Sequence, residues 1–177
     1  IIIIMFYDKQ KAIFLDRDGI INQDVGYVYK VEEFKFVDKI FDACRHFDSL
    51  GFKLVIITNQ SGIFREYYTQ DDFLMLNDWM LKQFKNHGIN ILDIFFCPHG
   101  PDSNCLCRKP LPGMLLKALK KYNFEIKNSW LIGDKETDIQ AANAAGITNT
   151  ILLKNGHGLN AINTNAKYII KSIEDTI

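Results

Sequence analysis

Two carboxylates separated by one residue mark the end of the first apolar run in the chain. The run Lys11–Asp16 reads as a buried strand, and Asp18 follows after Arg17. An aspartate can attack phosphorus and form an aspartyl-phosphate. A second carboxyl group two residues later can protonate the leaving oxygen and then deprotonate water. The pair therefore has the residue types and the spacing for phosphoryl transfer through a carboxylate.

Three further groups of polar residues follow the later apolar runs. They are Thr58, Asn59, Gln60 and Ser61 after the second run, Arg108 and Lys109 beyond the third, and Asp134, Lys135 and Asp138 after the fourth. Taken singly, each group could be a turn or a helix cap. Their joint occurrence favours one shared crevice, because parallel strands bring their carboxyl ends to the same edge. There, carboxyl oxygens would bind Mg²⁺, while a hydroxyl and a lysine would hold phosphoryl oxygens.

The segment Cys97–Pro110 contains three of the four cysteines and one of the four histidines. The candidate metal ligands in it are Cys97, His99, Cys105 and Cys107. These four ligands suit a closed tetrahedral Zn²⁺ site. Buried free cysteines are the alternative, which fits Cys44 on its apolar helix face but not a loop rich in proline, glycine and small polar residues. We expect a structural zinc that orders the loop and positions Arg108 and Lys109.

Short apolar runs alternate with amphipathic helical patterns along the chain. The predicted strands are Lys11–Asp16, Phe52–Thr58, Ile91–Cys97, Ser129–Asp134, 148–153 and 166–170. Helices are predicted over 38–51 with Leu50 on the apolar face, after a Thr69–Asp72 capping box, from Pro112 to Tyr122 and over 138–146. This order predicts an α/β fold, a mostly parallel sheet with helices on both faces. The gaps between motifs leave no room for a separate cap domain, so the crevice should be open.

Length and charge limit the kinds of protein that this chain can be. Its 177 residues predict one domain over 5–177, with Met5 as the natural start and Ile1–Ile4 foreign to it. Lys plus Arg equals Asp plus Glu at 21 each, which argues against a nucleic-acid or membrane partner. No transmembrane span or signal peptide is visible. Cysteines that serve as metal ligands favour the cytoplasm, and a monomer is the expected state.

The motifs together resemble the haloacid dehalogenase superfamily of phosphatases. The resemblance rests on "FLDRDG", a threonine at the second strand end, a downstream lysine and "GDKETD", and it covers roughly residues 11–153. It implies a Rossmannoid fold with Asp16 as nucleophile and Asp18 as general acid and base. Thr58 and Lys109 would stabilise the phosphoryl group. Asp16, the backbone carbonyl of Asp18, and Asp134 would bind Mg²⁺, with Asp138 as support.

The zinc loop narrows the resemblance to the superfamily's zinc-containing phosphatases. "TNQSG", "GYVY" and "EEF" are similar to the members that act on a heptose bisphosphate in bacterial surface-glycan synthesis. The residues that would contact such a substrate are Asp24, Tyr27, Asn59, Gln60, Ser61, Arg108 and Lys135. Histidinol-phosphate phosphatases share the loop and are the alternative, and a non-catalytic zinc-stabilised binding domain is a third reading. Phe64 and Glu66 depart from the family pattern of a small residue and a glycine.

Overall fold

A six-stranded sheet in which every neighbouring pair is parallel organises the chain. The computed structural model describes residues 9–154 and 163–177, so the expected start at Met5 lies outside the described residues. The strands are β1 (Lys11–Leu15), β2 (Phe52–Asn59), β3 (Ile91–Cys97), β4 (Trp130–Gly133), β5 (Asn149–Leu153) and β6 (Tyr168–Ile170). Their order across the sheet is β3-β2-β1-β4-β5-β6.

Helices cover both faces of this sheet, as the sequence predicts. They are α1 (Ile40–Ser49), α2 (Ser61–Phe64), α3 (Gln70–Asn86), α4 (Gly113–Tyr122) and α5 (Glu136–Ala144), with 3-10 turns at Val31–Glu33, Ile126–Asn128 and Ile173–Thr176. One hydrophobic core lies between the sheet and α1 and α3, and a second lies under α4 and α5. Among the residues that the structure describes, none of the helices is long and apolar enough to cross a membrane.

Strand β1 illustrates how the sequence builds the two cores. Ile13 and Leu15 enter the core on the α1 side, and Ala12 and Phe14 enter the other. Successive side chains of a strand point to opposite faces, so a strand that is buried on both faces reads as one continuous apolar run. That pattern is why the run could be assigned from the sequence.

Two local expectations had different outcomes. The capping box at α3 is confirmed, since the Thr69 hydroxyl accepts from the backbone N–H of Asp72 at 3.1 Å and the Thr69 N–H donates to the Asp72 carboxylate at 2.8 Å. The placement of Leu50 on the buried face of α1 is wrong, because its side chain is 50% exposed. The helix ends at Ser49, and Gly51 then turns the chain with a φ of +80°, so helical spacing does not extend to Leu50.

The strand order reverses between β1 and β4, and this reversal positions the site. The chain moves outward from β1 through β2 to β3 and then returns to place β4 on the other side of β1. Ligands of such sheets bind at the carboxyl ends of the strands beside this point. Asp16 directly follows β1 and Asp134 directly follows β4. Gly19, in the loop after β1, can approach Asp134 closely because it has no side chain: its φ is +95°, and a Cβ there would lie 2.1 Å from Asp134 Oδ2.

Candidate active site

Lys109 joins two of the predicted carboxylates in the interior of the protein. Its ammonium lies 2.8 Å from Asp16 Oδ1 and 2.6 Å from Asp138 Oδ1, and it donates to the carbonyl of Ile57 at 2.9 Å. Only 4% of the residue is exposed. Burial alone would lower the pKa of Lys109, but the charges of Asp138 and Asp16 raise it above its usual value. The side chain is therefore a fixed cation.

Asp16, Asp134 and Asp138 form a carboxylate cluster whose nearest oxygens lie within 4.8 Å of one another. Burial raises the pKa of Asp16 to about 7, an effect that Lys109 opposes and that the two other carboxylates reinforce. Burial likewise raises the pKa of Asp134 to about 6. Within the described part of the chain, the buried Asp134 Oδ1 has no hydrogen-bond partner. Hard oxygens, excess negative charge and an unpartnered carboxylate oxygen fit a Mg²⁺ ion.

The carboxylate of Asp18 is held by three side chains. Arg17 donates to its Oδ1 at 2.8 Å, Asn22 donates to the same oxygen at 3.0 Å, and Gln60 donates to Oδ2 at 3.0 Å. Arg17 is itself fully buried and also donates to the carbonyl of Val28 at 2.8 Å. Asp18 is thus fixed beside Asp16, and its side chain does not belong to the carboxylate cluster.

A cavity of about 420 Å³ opens above these groups. Eleven predicted site residues line it: Asp16, Asp18, Asp24, Tyr27, Asn59, Gln60, Ser61, Arg108, Lys109, Lys135 and Asp138. Gly26, Tyr68 and Thr137 also line it. Thr58 is only 1% exposed and lies beneath Gln60, which donates to the Thr58 hydroxyl oxygen at 2.8 Å. Over the described residues, no separate cap domain covers the cavity.

Asn59 makes a two-point contact with the main chain of Lys109. Its side-chain amide donates to the Lys109 carbonyl at 3.1 Å, and its oxygen accepts from the Lys109 N–H at 3.1 Å. The sequence places Asn59 beside the substrate, and the side chain does line the cavity. Both the nitrogen and the oxygen of the Asn59 amide nevertheless bond to the main chain of Lys109, so strand β2 fixes the backbone of this candidate catalytic residue.

Lys135 and Asp24 form an ion pair on the opposite side of the cavity. The Lys135 ammonium lies 2.9 Å from Asp24 Oδ2, and the two residues are 111 positions apart in the chain. Burial opposes ionisation of Asp24, but the hydrogen bond and the charge of Lys135 lower its pKa below the usual value. The lysine side chain is 56% exposed. This pair is therefore open to solvent and to a ligand that enters the cavity.

The four predicted zinc ligands converge at the end of β3. Cys97 Sγ lies 3.6 Å from Cys105 Sγ, and His99 Nδ1 lies 3.2 Å from Cys107 Sγ. All four ligand atoms lie within 4.8 Å of one another. Two thiolates that share a tetrahedral zinc are roughly 3.7 Å apart, since each lies about 2.3 Å from the metal. The soft donor set fits Zn²⁺ as well as the oxygen cluster fits Mg²⁺.

The thiols of this cluster are free rather than bonded to one another. Cys97 Sγ and Cys107 Sγ are 2.9 Å apart, well beyond the length of about 2.05 Å for a disulfide. Burial opposes ionisation of Cys105, but hydrogen bonds from the backbone of Arg108 and from Cys107 lower its pKa to about 7. Burial raises the pKa of Cys97 and of Cys107, so a metal that binds all three sulfurs would displace protons from these two thiols. Cys44 is buried in the α1 core, as expected.

Glu66 and Phe64, the two residues that depart from the family pattern, differ in what the structure shows for them: a backbone conformation for Glu66 and a ring contact for Phe64. Glu66 has a φ of +58°, in the left-handed region that glycine enters without strain and other residues enter at a cost of about 1 kcal/mol. Phe64 is 61% exposed, and its ring lies against Gly100 of the metal loop, where a Cβ would approach Cδ1 to 2.5 Å. The Phe64 ring, at the end of α2, therefore contacts the metal loop.

Sequence reasoning gave no role to several residues of the site. Arg17 and Asn22 hold Asp18, Tyr68 contacts Gln60, and Thr137 lines the cavity from the first turn of α5. Arg17 and Thr137 stand inside the recognised motifs, so their positions could have been flagged. Tyr68 carries no such signal, because its role depends on how α2 returns the chain towards β1.

Known proteins are similar to this chain in sequence and in fold. A family model described as HAD-hydrolase-like matches residues 106–176. A D-glycero-alpha-D-manno-heptose-1,7-bisphosphate 7-phosphatase of Photorhabdus laumondii is 46% identical over 86% of this chain and 87% of its own. A D-glycero-beta-D-manno-heptose-1,7-bisphosphate 7-phosphatase of Yersinia pestis is 44% identical over 93% and 92%.

Solved structures extend the agreement to three dimensions. The D,D-heptose 1,7-bisphosphate phosphatase of B. bronchiseptica, crystallised with magnesium and phosphate, superposes with a TM-score of 0.83 at 30% identity, covering 93% of this chain and 94% of that one. The similarity spans nearly all of both chains. The chain therefore belongs to the family of D-glycero-D-manno-heptose 1,7-bisphosphate 7-phosphatases, phosphoric monoester hydrolases of the HAD-like superfamily.

Proposed function

We propose that the protein removes the 7-phosphate of D-glycero-D-manno-heptose 1,7-bisphosphate through an aspartyl-phosphate at Asp16. The observation that carries this proposal is the contact of Lys109 with Asp16 and Asp138 at the base of a cavity whose rim carries two further cations, Arg108 and Lys135. Lys109 would serve the phosphate that is transferred, and Arg108 and Lys135 would contact the phosphate that is retained.

In the first step, the carboxylate of Asp16 attacks phosphorus and the bond from phosphorus to the sugar oxygen breaks. Asp18 gives its proton to that oxygen, so the sugar leaves as an alcohol. The ammonium of Lys109 and the hydroxyl of Thr58 donate to the phosphoryl oxygens, where negative charge accumulates. The Thr58 hydroxyl can do so because its oxygen already accepts from Gln60, which leaves its proton to donate.

In the second step, Asp18 takes a proton from water as the water attacks the aspartyl-phosphate. Inorganic phosphate leaves, Asp16 is restored as a carboxylate and Asp18 is again protonated for the next cycle. Asp138 and the carbonyl of Ile57 take two of the three N–H groups of Lys109 and set its position, so the third can pass from Asp16 to a phosphoryl oxygen. The same two aspartates therefore complete both halves of the reaction.

Asp16, Asp134 and the backbone carbonyl of Asp18 would hold Mg²⁺, with Asp138 beside them. When bound, the ion offsets the repulsion between these carboxylates and the anionic substrate. Asp138 is engaged with Lys109 and accepts from the Lys135 backbone N–H at 3.0 Å. We therefore assign Asp138 to the support of Lys109, and the unpartnered Asp134 oxygen to the metal.

Recognition of the rest of the substrate falls to the rim of the cavity. Arg108 and Lys135 suit the retained 1-phosphate, because both are cations that are only lightly committed to protein partners. Arg108 donates to the carbonyl of His99 at 3.2 Å, and Lys135 pairs with the half-exposed Asp24. Asp24, Tyr27 and Ser61 lie where sugar hydroxyls would pass. Zn²⁺ at the Cys/His cluster orders the loop and takes no part in the chemistry.

The decisive experiment measures phosphate release from three substrates side by side. The alpha and beta anomers of the heptose bisphosphate are both included, because relatives of similar identity carry both names. Histidinol phosphate is the third. We expect a kcat/KM at least tenfold higher for one of the heptose anomers. A preference for histidinol phosphate would overturn the substrate, and no release from any of the three would favour a binding domain.

We further propose that the protein acts as a monomer in the cytoplasm. Thiols that serve as zinc ligands persist in a reducing compartment. A sedimentation measurement on the zinc-loaded protein tests the oligomeric state. A dimer at micromolar concentration would contradict the first part of this proposal, and a periplasmic location in cell fractionation would contradict the second.

A further inference from the structure

Gln60 is a buried residue whose side chain hydrogen-bonds to Asp18, the proposed acid/base, and to Thr58 and Tyr68. Its side-chain nitrogen donates to Asp18 Oδ2 at 3.0 Å and to the Thr58 hydroxyl oxygen at 2.8 Å. Its oxygen accepts from the hydroxyl of Tyr68. Only 2% of Gln60 is exposed, so water contributes little to fixing the orientation of its amide.

Tyr68 is seated firmly enough to act on that amide. It is 5% exposed, its ring stacks on Tyr29 at 5.2 Å, and Gly62 lies against its edge. A Cβ at Gly62 would come within 2.1 Å of Tyr68 Cε1, so glycine is what lets the ring approach. Burial raises the pKa of Tyr68 to about 12, and its hydroxyl is therefore a constant donor near neutral pH.

We propose that Tyr68 is a positioning residue for general acid–base catalysis, acting on Asp18 through Gln60. The hydroxyl of Tyr68 can donate to the oxygen of the Gln60 amide and thereby directs the amide nitrogen towards Asp18 and Thr58. This inference rests on the proposed function, in which Asp18 moves the protons.

The reverse orientation of the amide shows what the tyrosine prevents. Rotation by 180° would turn the Gln60 oxygen towards Asp18, so that in the second step, when Asp18 is ionised and must take a proton from water, two acceptors would face each other in a buried site. Asp18 would then keep only Arg17, which donates to Oδ1 at 2.8 Å and to Oδ2 at 3.1 Å, and Asn22, which donates to Oδ1. Its Oδ2 would lose the Gln60 donor and keep only the contact with Arg17, so the orientation of the carboxylate would be held less firmly. A misoriented acid/base slows proton transfer without weakening substrate binding.

The first test is Tyr68→Phe, which removes the hydroxyl and keeps the ring. We expect kcat to fall roughly tenfold, as for the loss of one well-placed hydrogen bond, with KM and Mg²⁺ dependence unchanged. Tyr122→Phe is the matched control, because it also removes a tyrosine hydroxyl that donates to an aspartate, Asp93, away from the cavity. Wild-type kcat in Tyr68→Phe would overturn the proposal.

A double-mutant cycle tests the route. In a Gln60→Leu background, which has no amide to orient, Tyr68→Phe should cost no further activity. A full additional tenfold loss there would overturn the proposal, since Tyr68 would then act by another path. Melting temperatures of all four proteins are recorded, so that a loss of folded enzyme is separated from a loss of turnover.

Pre-steady-state kinetics with 4-nitrophenyl phosphate distinguish Asp18 from Thr58 as the target. Its leaving group needs no proton, so the burst of nitrophenol should keep its rate in Tyr68→Phe while steady-state turnover falls. Thr58 serves both steps, so equal losses in burst and turnover would overturn the assignment to Asp18. Asp18→Asn is run in parallel: near-wild-type turnover in that variant refutes the proposed function itself, whatever Tyr68→Phe does.

Discussion

The two lysines that face the cavity differ in almost every physical respect. Lys109 is 4% exposed and contacts two buried carboxylates and a carbonyl, and Asn59 holds its main chain. Lys135 has a side chain that is 56% exposed and pairs with Asp24, whose side chain is 33% exposed. Both are cations beside the same substrate, but only one of them has a position that the protein determines.

This difference fits the proposed roles, in which Lys109 serves the chemistry and Lys135 serves recognition. Charge stabilisation in a transition state requires a donor that is already in place, because reorganisation during the reaction costs rate. Recognition of a retained phosphate has no such requirement. An exposed ion pair is worth about 1 kcal/mol or less, so a phosphate can displace Asp24 from Lys135 at little cost.

The largest expected effect follows from Lys109→Met. The change removes the cation and leaves Asp16 and Asp138 buried without it. We expect kcat to fall by at least about a thousandfold, and the free energy of unfolding to fall by several kcal/mol. Phosphate release and urea unfolding measure the two quantities. Turnover within tenfold of wild type would mean that Lys109 is structural, and Asp16→Asn provides the reference for a protein without a nucleophile.

A smaller and more selective loss is expected from Lys135→Met. KM for the heptose bisphosphate should rise about tenfold, while kcat/KM for 4-nitrophenyl phosphate changes less than threefold. The reason is that the aryl substrate has no second phosphate for Lys135 to meet. Arg108→Ala is the companion variant and should behave in the same way. Equal losses on both substrates would place either cation at the transferred phosphate and erase the contrast with Lys109.

Removal of zinc should lower kcat less than Lys109→Met does. Chelation of zinc at saturating Mg²⁺, or Cys107→Ser, should lower kcat about three- to tenfold while circular dichroism shows the sheet and helices intact. The loop loses its order, but Asn59 still grips Lys109. Activity of the stripped wild type should return with either Zn²⁺ or Cd²⁺. Recovery with zinc alone would indicate a catalytic metal.

The smallest expected effect is on stability, from Asp24→Asn. Loss of its half-exposed pair with Lys135 should change the free energy of unfolding by less than about 1 kcal/mol. Asp138→Asn, which uncouples the buried Lys109, should cost several times more. Urea titrations of both variants under the same conditions test the ratio. Comparable losses would mean that the two lysines are held equally.

The sequence predicted the site better than it predicted the contacts within it. Polar residues after apolar runs must gather at one edge of a parallel sheet, and this reasoning placed Asp16, Asn59 and Lys135 at one cavity. It could not show that Asn59 is committed to the main chain of Lys109, because that contact joins positions 50 residues apart. Tyr68 was missed for a different reason: its contact with Gln60 lies only eight positions away, but no motif marks it.

Local sequence patterns predicted some elements of the fold and missed others. The strands follow from their continuous apolar runs, and the capping box of α3 follows from Thr69 and Asp72. The four residues of α2 and the 3-10 turns are too short to produce a periodic signal. Leu50 was misplaced because the apolar spacing continues one residue beyond the helix that it describes. Pattern reasoning thus succeeds where an element is long and buried.

The grip of Asn59 on the Lys109 main chain affects how the enzyme should respond to zinc supply. Because the lysine is anchored to strand β2 as well as to the metal loop, an unmetallated molecule is slow rather than inactive. Total activity in a mixed population should therefore rise in a straight line with zinc occupancy from a floor above zero. Asn59→Ala should lower that floor, although the contacts of the Lys109 ammonium with Asp138 and the carbonyl of Ile57 would remain.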